Sequence, residues 1–375
     1  MDELGVGMIG FGFIGKVHAY GYHNIPLYYD PPPVATRLVG VATSRPETAQ
    51  KAAKQGGFEF GTDDWRQVIA RDDIDIINIC TPNDLHCDQL IAAMKAGKHI
   101  YCDKPLVVTA EDAARVKKAM QGWSGIGQMT LQYRFYPATI RAKQLIDEGF
   151  VGEVTAFRSV YLHSGSVDAD KPMGWKQLAS AHGGVLQDLG SHNIDLMEYL
   201  IGPFASVLTE SYILYDERPG PQSNVIPVEA EDHFVMLVKL ANGAIGSIEA
   251  SKICTGTDDE LRFEIHGDKG ALRFSLTNPN YLEVYDLREP DTPFGGQRGW
   301  RQIATVQRFA EPCNFPSPKA SIGWIRGHMH CLYNFLEGVM RGEQPQPSLE
   351  RGLELQQILA VANKSAQSRS WQDLA

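Results

Sequence analysis

Three short stretches hold residues whose types and spacing can do chemistry. The first, Gly10-Phe11-Gly12-Phe13-Ile14-Gly15, is a G-x-G-x-x-G between an apolar run at 4–9 and a segment of helical character at 13–22. Glycine is needed there three times over: for a tight turn, for backbone approach to a diphosphate, and for close helix–strand packing. The helix N-terminus that follows supplies N–H groups and partial positive charge. The reading is a dinucleotide site, with a plain glycine-rich turn as the alternative. The same residues also spell G-x-x-x-x-G-K from Gly10 to Lys16, but a magnesium-holding Ser or Thr would have to follow, and Val17 stands there. Lys16 then reads as a solvated helix residue and His18 as a satisfied one. At the end of the second predicted strand an acid usually holds a free ribose 2′-hydroxyl; this chain has Thr43-Ser44-Arg45. A hydroxyl and a guanidinium can grip a 2′-phosphate, so Ser44 and Arg45 favour NADP over NAD. The alternative is that Arg45 stacks on adenine or points to water while NAD binds.

The second stretch, Asp103-Lys104-Pro105, follows a strand at 98–102, at the carboxyl end where wound sheets bind ligands. Proline keeps the residue before it extended, so Lys104 would face the nicotinamide side; a solvated loop lysine is the equal alternative. The third runs from Gly183 to Asp195 (GGVLQDLGSHNID). If it is helical, Asp188 and His192 stand at i, i+4 on one face, with Asp195 near the same line. A histidine oriented by carboxylates can exchange a substrate proton; a buried polar helix face is the alternative. Gly190 in mid-helix costs about 1 kcal/mol relative to Ala, which suggests that something packs closely there, a coenzyme included. Weaker candidates remain. His163 and Trp175 flank a polar loop at 164–172 that could line a sugar pocket, with ordinary packing as the alternative, and Glu249 in a strand could be either. His328 and His330 fall on opposite faces of a helix and, with Cys331, make no metal site; no metal-ligand cluster is visible.

These residues need a frame, and the first third of the chain supplies an alternating one. Strands are expected at 4–9, 37–43, 74–80 and 98–102. Helices are expected from Phe13, from Pro46 at a first helical position, and across Cys87, Leu90, Ile91 and Met94, which form one apolar stripe. Gly97 fits a helix C-cap, and Thr109 with Asp112 an N-cap. This is the pattern of a doubly wound parallel sheet. The segment 24–35, with Pro26 and Pro31-Pro32-Pro33, is too proline-rich for a simple connection and reads as structural or as a subunit contact. After about Gly127 the pattern changes. A helix from Pro137 to near Gly149 precedes strands at 154–161, 205–214, 233–240, 244–250, 261–266 and 271–274, punctuated by turns such as Asn242-Gly243. Two helices, about 324–340 and 349–367, close the chain.

Composition narrows the classes further. The 375 residues allow two or perhaps three domains at about 150 residues each. With 43% hydrophobic and 21% charged residues the chain is not disordered as a whole. A net charge of −10 makes nucleic acid and anionic membrane poor partners. Six cysteines in so long a chain do not read as a disulfide framework. No apolar run reaches the length of about 18 residues that a membrane span needs, and Met1-Asp2-Glu3 lacks the basic head of a signal peptide. The expectation is a cytoplasmic protein.

Taken together, GFGFIG at 10–15, INICTPNDLH at 77–86, AGKHIYCDKP at 96–105, YRFYPA at 133–138 and GGVLQDLGSHNIDL at 183–196 resemble the glucose–fructose oxidoreductase / inositol dehydrogenase / rhizopine catabolism (Gfo/Idh/MocA) family. The resemblance runs in order from residue 5 to about 205 and continues loosely through GEQPQPSLERG at 342–352. It implies an α/β protein: an N-terminal Rossmann domain, expected at 1–128, and a C-terminal α/β domain, expected at 129–375, with an open, mostly antiparallel sheet that often forms subunit contacts. It implies hydride transfer between NAD or NADP and a secondary alcohol of a sugar, anhydrosugar or polyol, in a homodimer or homotetramer. Lys104, Asp188 and His192 match the family's catalytic positions. Gly10, Gly12, Phe13, Ile14, Gly15, Ser44, Arg45, Thr81, Pro82, Asn83, His86, Asp103 and Lys104 are the expected coenzyme contacts; Arg134, His163 and Trp175 are substrate candidates. Asp103 stands where the family usually has Glu, which puts the role of that carboxylate in question. Two rivals remain at this level: an NAD-dependent enzyme that cleaves a glycoside through transient oxidation, and a nucleotide or sugar sensor without turnover.

Overall fold

The computed structural model describes residues 3–178, 181–220 and 224–374. The chain divides into two compact units. The first comprises Met1–Phe135, Phe309–Ser317 and Gly323–Gln356, and the second comprises Tyr136–Arg308, Pro318–Ile322 and Gln357–Ala375.

The first unit opens with strand β1 (Glu3–Ile9), helix α1 (Phe13–Tyr28), β2 (Ala35–Ala42), α2 (Pro46–Gly56), β3 (Phe60–Thr62), α3 (Trp65–Ile69), β4 (Ile76–Ile79), α4 (His86–Lys95), β5 (His99–Cys102), α5 (Ala110–Met120) and β6 (Gly127–Met129). The strands pair in parallel in the order β3-β2-β1-β4-β5-β6. Their side chains are buried on both faces, as expected where helices cover a parallel sheet. The strand order reverses between β1 and β4, so the loops leaving those strands diverge at the carboxyl edge, the ligand-binding position of wound sheets. The expected caps are present: Gly97 has φ +70°, and the Asp112 N–H donates to the Thr109 hydroxyl at 3.0 Å.

One expectation changes. Helix α1 does not stop before Asn24 but runs through Pro26 to Tyr28. Proline forfeits one helical hydrogen bond. The turn is held instead by Tyr29, fully buried, whose ring lies 4.0 Å from that of Tyr333 and whose hydroxyl accepts from the Arg326 guanidinium at 2.6 Å. The proline-rich segment packs on residues 309–317 of its own unit, with the Asp30 N–H donating to the Pro312 carbonyl.

The second unit continues with α6 (Pro137–Asp147), β7 (Val154–Leu162), a π-helical turn (Leu186–Gly190), α7 (Ser191–Ile201), β8 (Phe204–Tyr212), β9 (Glu217–Pro219), β10 (Val225–Pro227), β11 (His233–Leu240), β12 (Ile245–Ser251), β13 (Glu260–Gly267), β14 (Gly270–Ser275), β15 (Tyr281–Asp286) and β16 (Arg301–Ala304). Helices α8 (Ile325–Arg341) and α9 (Leu349–Ser368) and strand β17 (Gln372–Asp373) complete the chain. The large sheet runs β16-β15-β14-β13-β7-β12-β11-β8-β17, antiparallel except where β7 meets β12 in parallel. Strand β11 shows the alternation of a half-covered sheet: Phe234, Met236, Val238 and Leu240 are buried, whereas Val235 and Leu237 are exposed.

Helix α8 and the first turns of α9 belong to the first unit. A Cβ on Gly21 would come within 2.9 Å of Leu332, so α1 and α8 approach closely there. Helix α9 braces the stretch beyond Lys104: Gly352 lies against Leu106, and the Gln356 amide donates to the Val108 carbonyl at 2.8 Å. No described helix is long and apolar enough to cross a membrane.

Candidate active site

The glycine loop after β1 is shaped as a cradle. Gly10 has φ +92°, and a Cβ there would sit 2.5 Å from the Cys80 carbonyl oxygen; one on Gly15 would sit 2.5 Å from the Gly10 carbonyl oxygen. Both glycines are therefore demanded by backbone packing. Gly12 differs. A Cβ there would meet nothing within 4 Å, although Gly12 caps the N-terminus of α1. Space left empty in front of a helix N-terminus is what a diphosphate requires. Phe13 is 72% exposed, with its ring 5.7 Å from that of Trp324, and Ile14 is half-buried. Ser44 and Arg45 are exposed at the start of α2, and Thr43 spends its hydroxyl on the Arg45 carbonyl and on Thr48. These residues fit a nicotinamide dinucleotide.

The loop after β4 is held from within. Thr81 donates to Gln89 at 2.8 Å, Pro82 is exposed, and Asn83 is buried in a short 3-10 turn. His86 is fully buried, with its ring nitrogens 3.0 Å from the carbonyl oxygens of Thr81 and Pro105. It staples the β4 loop to the residue that follows Lys104 and presents no ring nitrogen outward. The Asp103 N–H donates to the Ile79 carbonyl, and Asp103 and Lys104 are half-buried. Lys104 is near enough to His328 for its charge to be felt there. Burial first, then the charges of His18 and Lys104, push the His328 imidazole well below its usual range.

His18 is buried on α1, its Nδ1 accepting from the Asn78 amide at 3.0 Å, and burial pushes it down to about 3. The His18 and His328 rings stand with centroids 6.1 Å apart. Spacing showed His328 and His330 to be on opposite faces, and they are: His328 faces His18 and Trp324, and His330 faces Tyr29 and Tyr333. Nothing local marked His328 as a neighbour of Lys104, or His18 and Trp324 as neighbours of His328. Among the described residues no cluster of three or more His, Cys, Asp or Glu is placed to hold a metal. Arg134 lies in the first unit, buried on a 3-10 turn with its charge near Cys331, and His163 and Trp175 lie in the second.

In the second unit, Asp188 lies in the wide π-turn and His192 at the head of α7, 6% exposed. The plain helix expected from the spacing is thus replaced, just before α7, by an i→i+5 turn, a feature frequent at functional sites. The close neighbour of Gly190 also differs from expectation. A Cβ would meet the Phe234 ring at 2.7 Å, so a core side chain of β11, not a coenzyme, explains that glycine. Asp188 Oδ2 accepts from Lys176 at 2.8 Å and stands 3.0 Å from Lys252 Nζ. The Tyr161 ring stands between two imidazoles, 5.9 Å from His192 and 5.1 Å from His163. His163 Nε2 lies 2.9 Å from Asp259, and Trp175, 38% exposed, adjoins Lys176. Asp195 is buried, and the Asn193 amide donates to the Glu249 carbonyl, tying α7 to β12. Lys176, Lys252 and Glu231 escaped sequence reasoning because a lysine after a strand and a glutamate in a loop read as solvated.

Residues 4–128 match an oxidoreductase family's NAD-binding Rossmann fold, and residues 143–374 match that family's C-terminal alpha/beta domain. The chain is 33% identical to a levoglucosan dehydrogenase of Pseudarthrobacter phenanthrenivorans over 100% of its own length and 99% of that protein's. It is 30% identical to an inositol 2-dehydrogenase of Rhizobium meliloti, over 74% of this chain and 77% of the other. A solved levoglucosan dehydrogenase in complex with NADH and levoglucosan superposes with a TM-score of 0.93 at 34% identity, covering 99% of both chains.

Proposed function

The chain belongs to the Gfo/Idh/MocA oxidoreductase family, and from that premise we propose that it is a dehydrogenase acting with NAD or NADP on a secondary hydroxyl of an anhydrosugar of the levoglucosan type, inositol-like polyols being the next class. The observation that carries this reading is the full-length likeness to levoglucosan dehydrogenase. In the proposed mechanism His192 takes the hydroxyl proton, as a neutral imidazole can near neutral pH. The Lys104 ammonium stabilises the negative charge that develops on that oxygen. Asp188 orients substrate and imidazole, and His163 and Trp175 are sugar-side contacts. The bound dinucleotide supplies the hydride acceptor, and the donor in reverse. Gly10, Gly12 and Gly15 hold its diphosphate.

A panel of anhydrosugars, aldoses and inositols, each with NAD and with NADP, tests the proposal by the appearance of reduced nicotinamide. The highest kcat/KM is expected on levoglucosan. Release of a sugar from a glycoside with no net coenzyme reduction would replace this reading with glycoside cleavage. Coenzyme binding without turnover on any member would make the protein a sensor.

The coenzyme has its own test. With no acid in Thr43-Ser44-Arg45, the proposal is that both coenzymes are used and that Arg45 meets the 2′-phosphate. Arg45→Ala should lower kcat/KM with NADP about tenfold, ~1.4 kcal/mol, and leave NAD within about twofold. An equal loss with both would show that Arg45 contacts the adenosine they share.

A further inference from the structure

The wide turn that carries Asp188 is wrapped by three charged side chains from separate parts of the second unit, Glu231, Lys252 and Lys176. Its first N–H, that of Leu186, donates to Glu231 at 2.9 Å, and the Val185 N–H donates to the Glu231 carbonyl. Gly184, at φ +107°, lies so close that a Cβ would stand 2.4 Å from the Glu231 carboxylate, and Gly183 is packed on the Lys176 carbonyl. Burial pushes the Glu231 carboxyl up from its ordinary value, against the pull of the Leu186 N–H and of the Lys252 charge. Lys252 is 9% exposed and fixed at both ends of its peptide: its N–H donates to the Asp232 carbonyl, and its own carbonyl accepts from Ser166. Its ammonium stands 3.0 Å from Asp188 Oδ2 and acts on Glu231. Lys176 reaches the same Asp188 oxygen from a largely exposed position. Asn193, the neighbour of His192, bonds the Glu249 carbonyl three residues before Lys252, so lysine and imidazole share one frame.

We infer that Lys252 and Glu231 are positioning residues for Asp188. Glu231 fixes the wide turn through the Leu186 N–H, and Lys252 holds the Asp188 carboxylate in the orientation its proposed role requires. The inference rests on the reading of Asp188 given above. Lys176 is the lesser partner, because an ion pair in water holds geometry weakly, whereas a buried one with a fixed backbone holds it well.

Misplacing a catalytic group by about an ångström costs about 100-fold in rate. Lys252→Met should therefore lower kcat by about that factor, with KM within about threefold, and Lys252→Arg should restore most of the loss. Lys176→Ala should cost only about threefold. Glu231→Gln, whose amide oxygen still accepts from Leu186, should keep kcat within about threefold, whereas Glu231→Ala should lose about thirtyfold; this pair decides the matter if Lys252→Met does not fold. Equal losses in Lys176→Ala and Lys252→Met, a rise in KM with kcat unchanged, or no recovery in Lys252→Arg would overturn the inference. Asp188→Asn is measured alongside. If it turns over near normally, the reading of Asp188 fails and this inference with it; if it collapses while Lys252→Met and Glu231→Ala do not, this inference alone fails.

Discussion

His192→Ala should lower kcat for sugar oxidation by about a thousandfold, ~4 kcal/mol in the barrier, and leave the affinity for NADH within about twofold. The size follows from the proposed role: a positioned base contributes about 10²–10⁴ in rate, and the other imidazole beside Tyr161, that of His163, is engaged with Asp259. Alanine suits a helix better than histidine does, so α7 should persist, and an unchanged far-ultraviolet spectrum checks that. The proposed diphosphate contacts are the backbone atoms of Gly10, Gly12 and Gly15 and not this imidazole, so coenzyme titration by fluorescence should be unaffected. The substitution removes a ring from a nearly buried place, so added imidazole should recover part of the lost rate. Near-normal turnover would take His192 out of the mechanism, and weakened NADH binding would show that it serves the coenzyme.

What the sequence made legible is what neighbours in the chain settle among themselves. The glycine loop could be read because its three glycines fall at a fixed spacing within six residues, and the Thr109 cap because Asp112 stands three residues on. The paired Asp188 and His192 could be found for the same reason. Their surroundings could not. Glu231 meets Leu186 across 45 residues, and nothing in the composition around Lys252 separates a buried, paired lysine from a solvated one. Gly190 shows the same limit from the other side. A helix glycine announces a close approach without saying by what, and Phe234 of β11 fills the place. Pro26 misled for an energetic reason: one forfeited helical bond is outweighed when the next turn buries Tyr29 against Arg326 and Tyr333.

Gly12→Val should abolish measurable coenzyme binding at ordinary concentrations, weakening it at least about 100-fold, ~2.8 kcal/mol, and leave the melting temperature within about 1 °C, below the ~2–4 °C that 1 kcal/mol shifts a domain of about 150–250 residues. The three glycines of the loop are not equivalent. At Gly10 and Gly15 a side chain would strike backbone oxygens at 2.5 Å, so substitution there damages the fold and says little about a ligand. At Gly12 the side chain enters open space, and the backbone is extended, a conformation valine accepts. The only role left for glycine at that position is to keep clear the ground before the first N–H groups of α1, where a diphosphate must come close. Isothermal titration with NADH and NADPH, beside a melting curve, separates the possibilities. Unchanged binding would mean that the dinucleotide does not lie over this turn, whereas a large fall in melting temperature would mean that Gly12 serves the fold. Set against His192→Ala, the pair forms a crossed test: one substitution stops turnover with the coenzyme still bound, and the other removes the coenzyme while the proton-transfer residues stay in place.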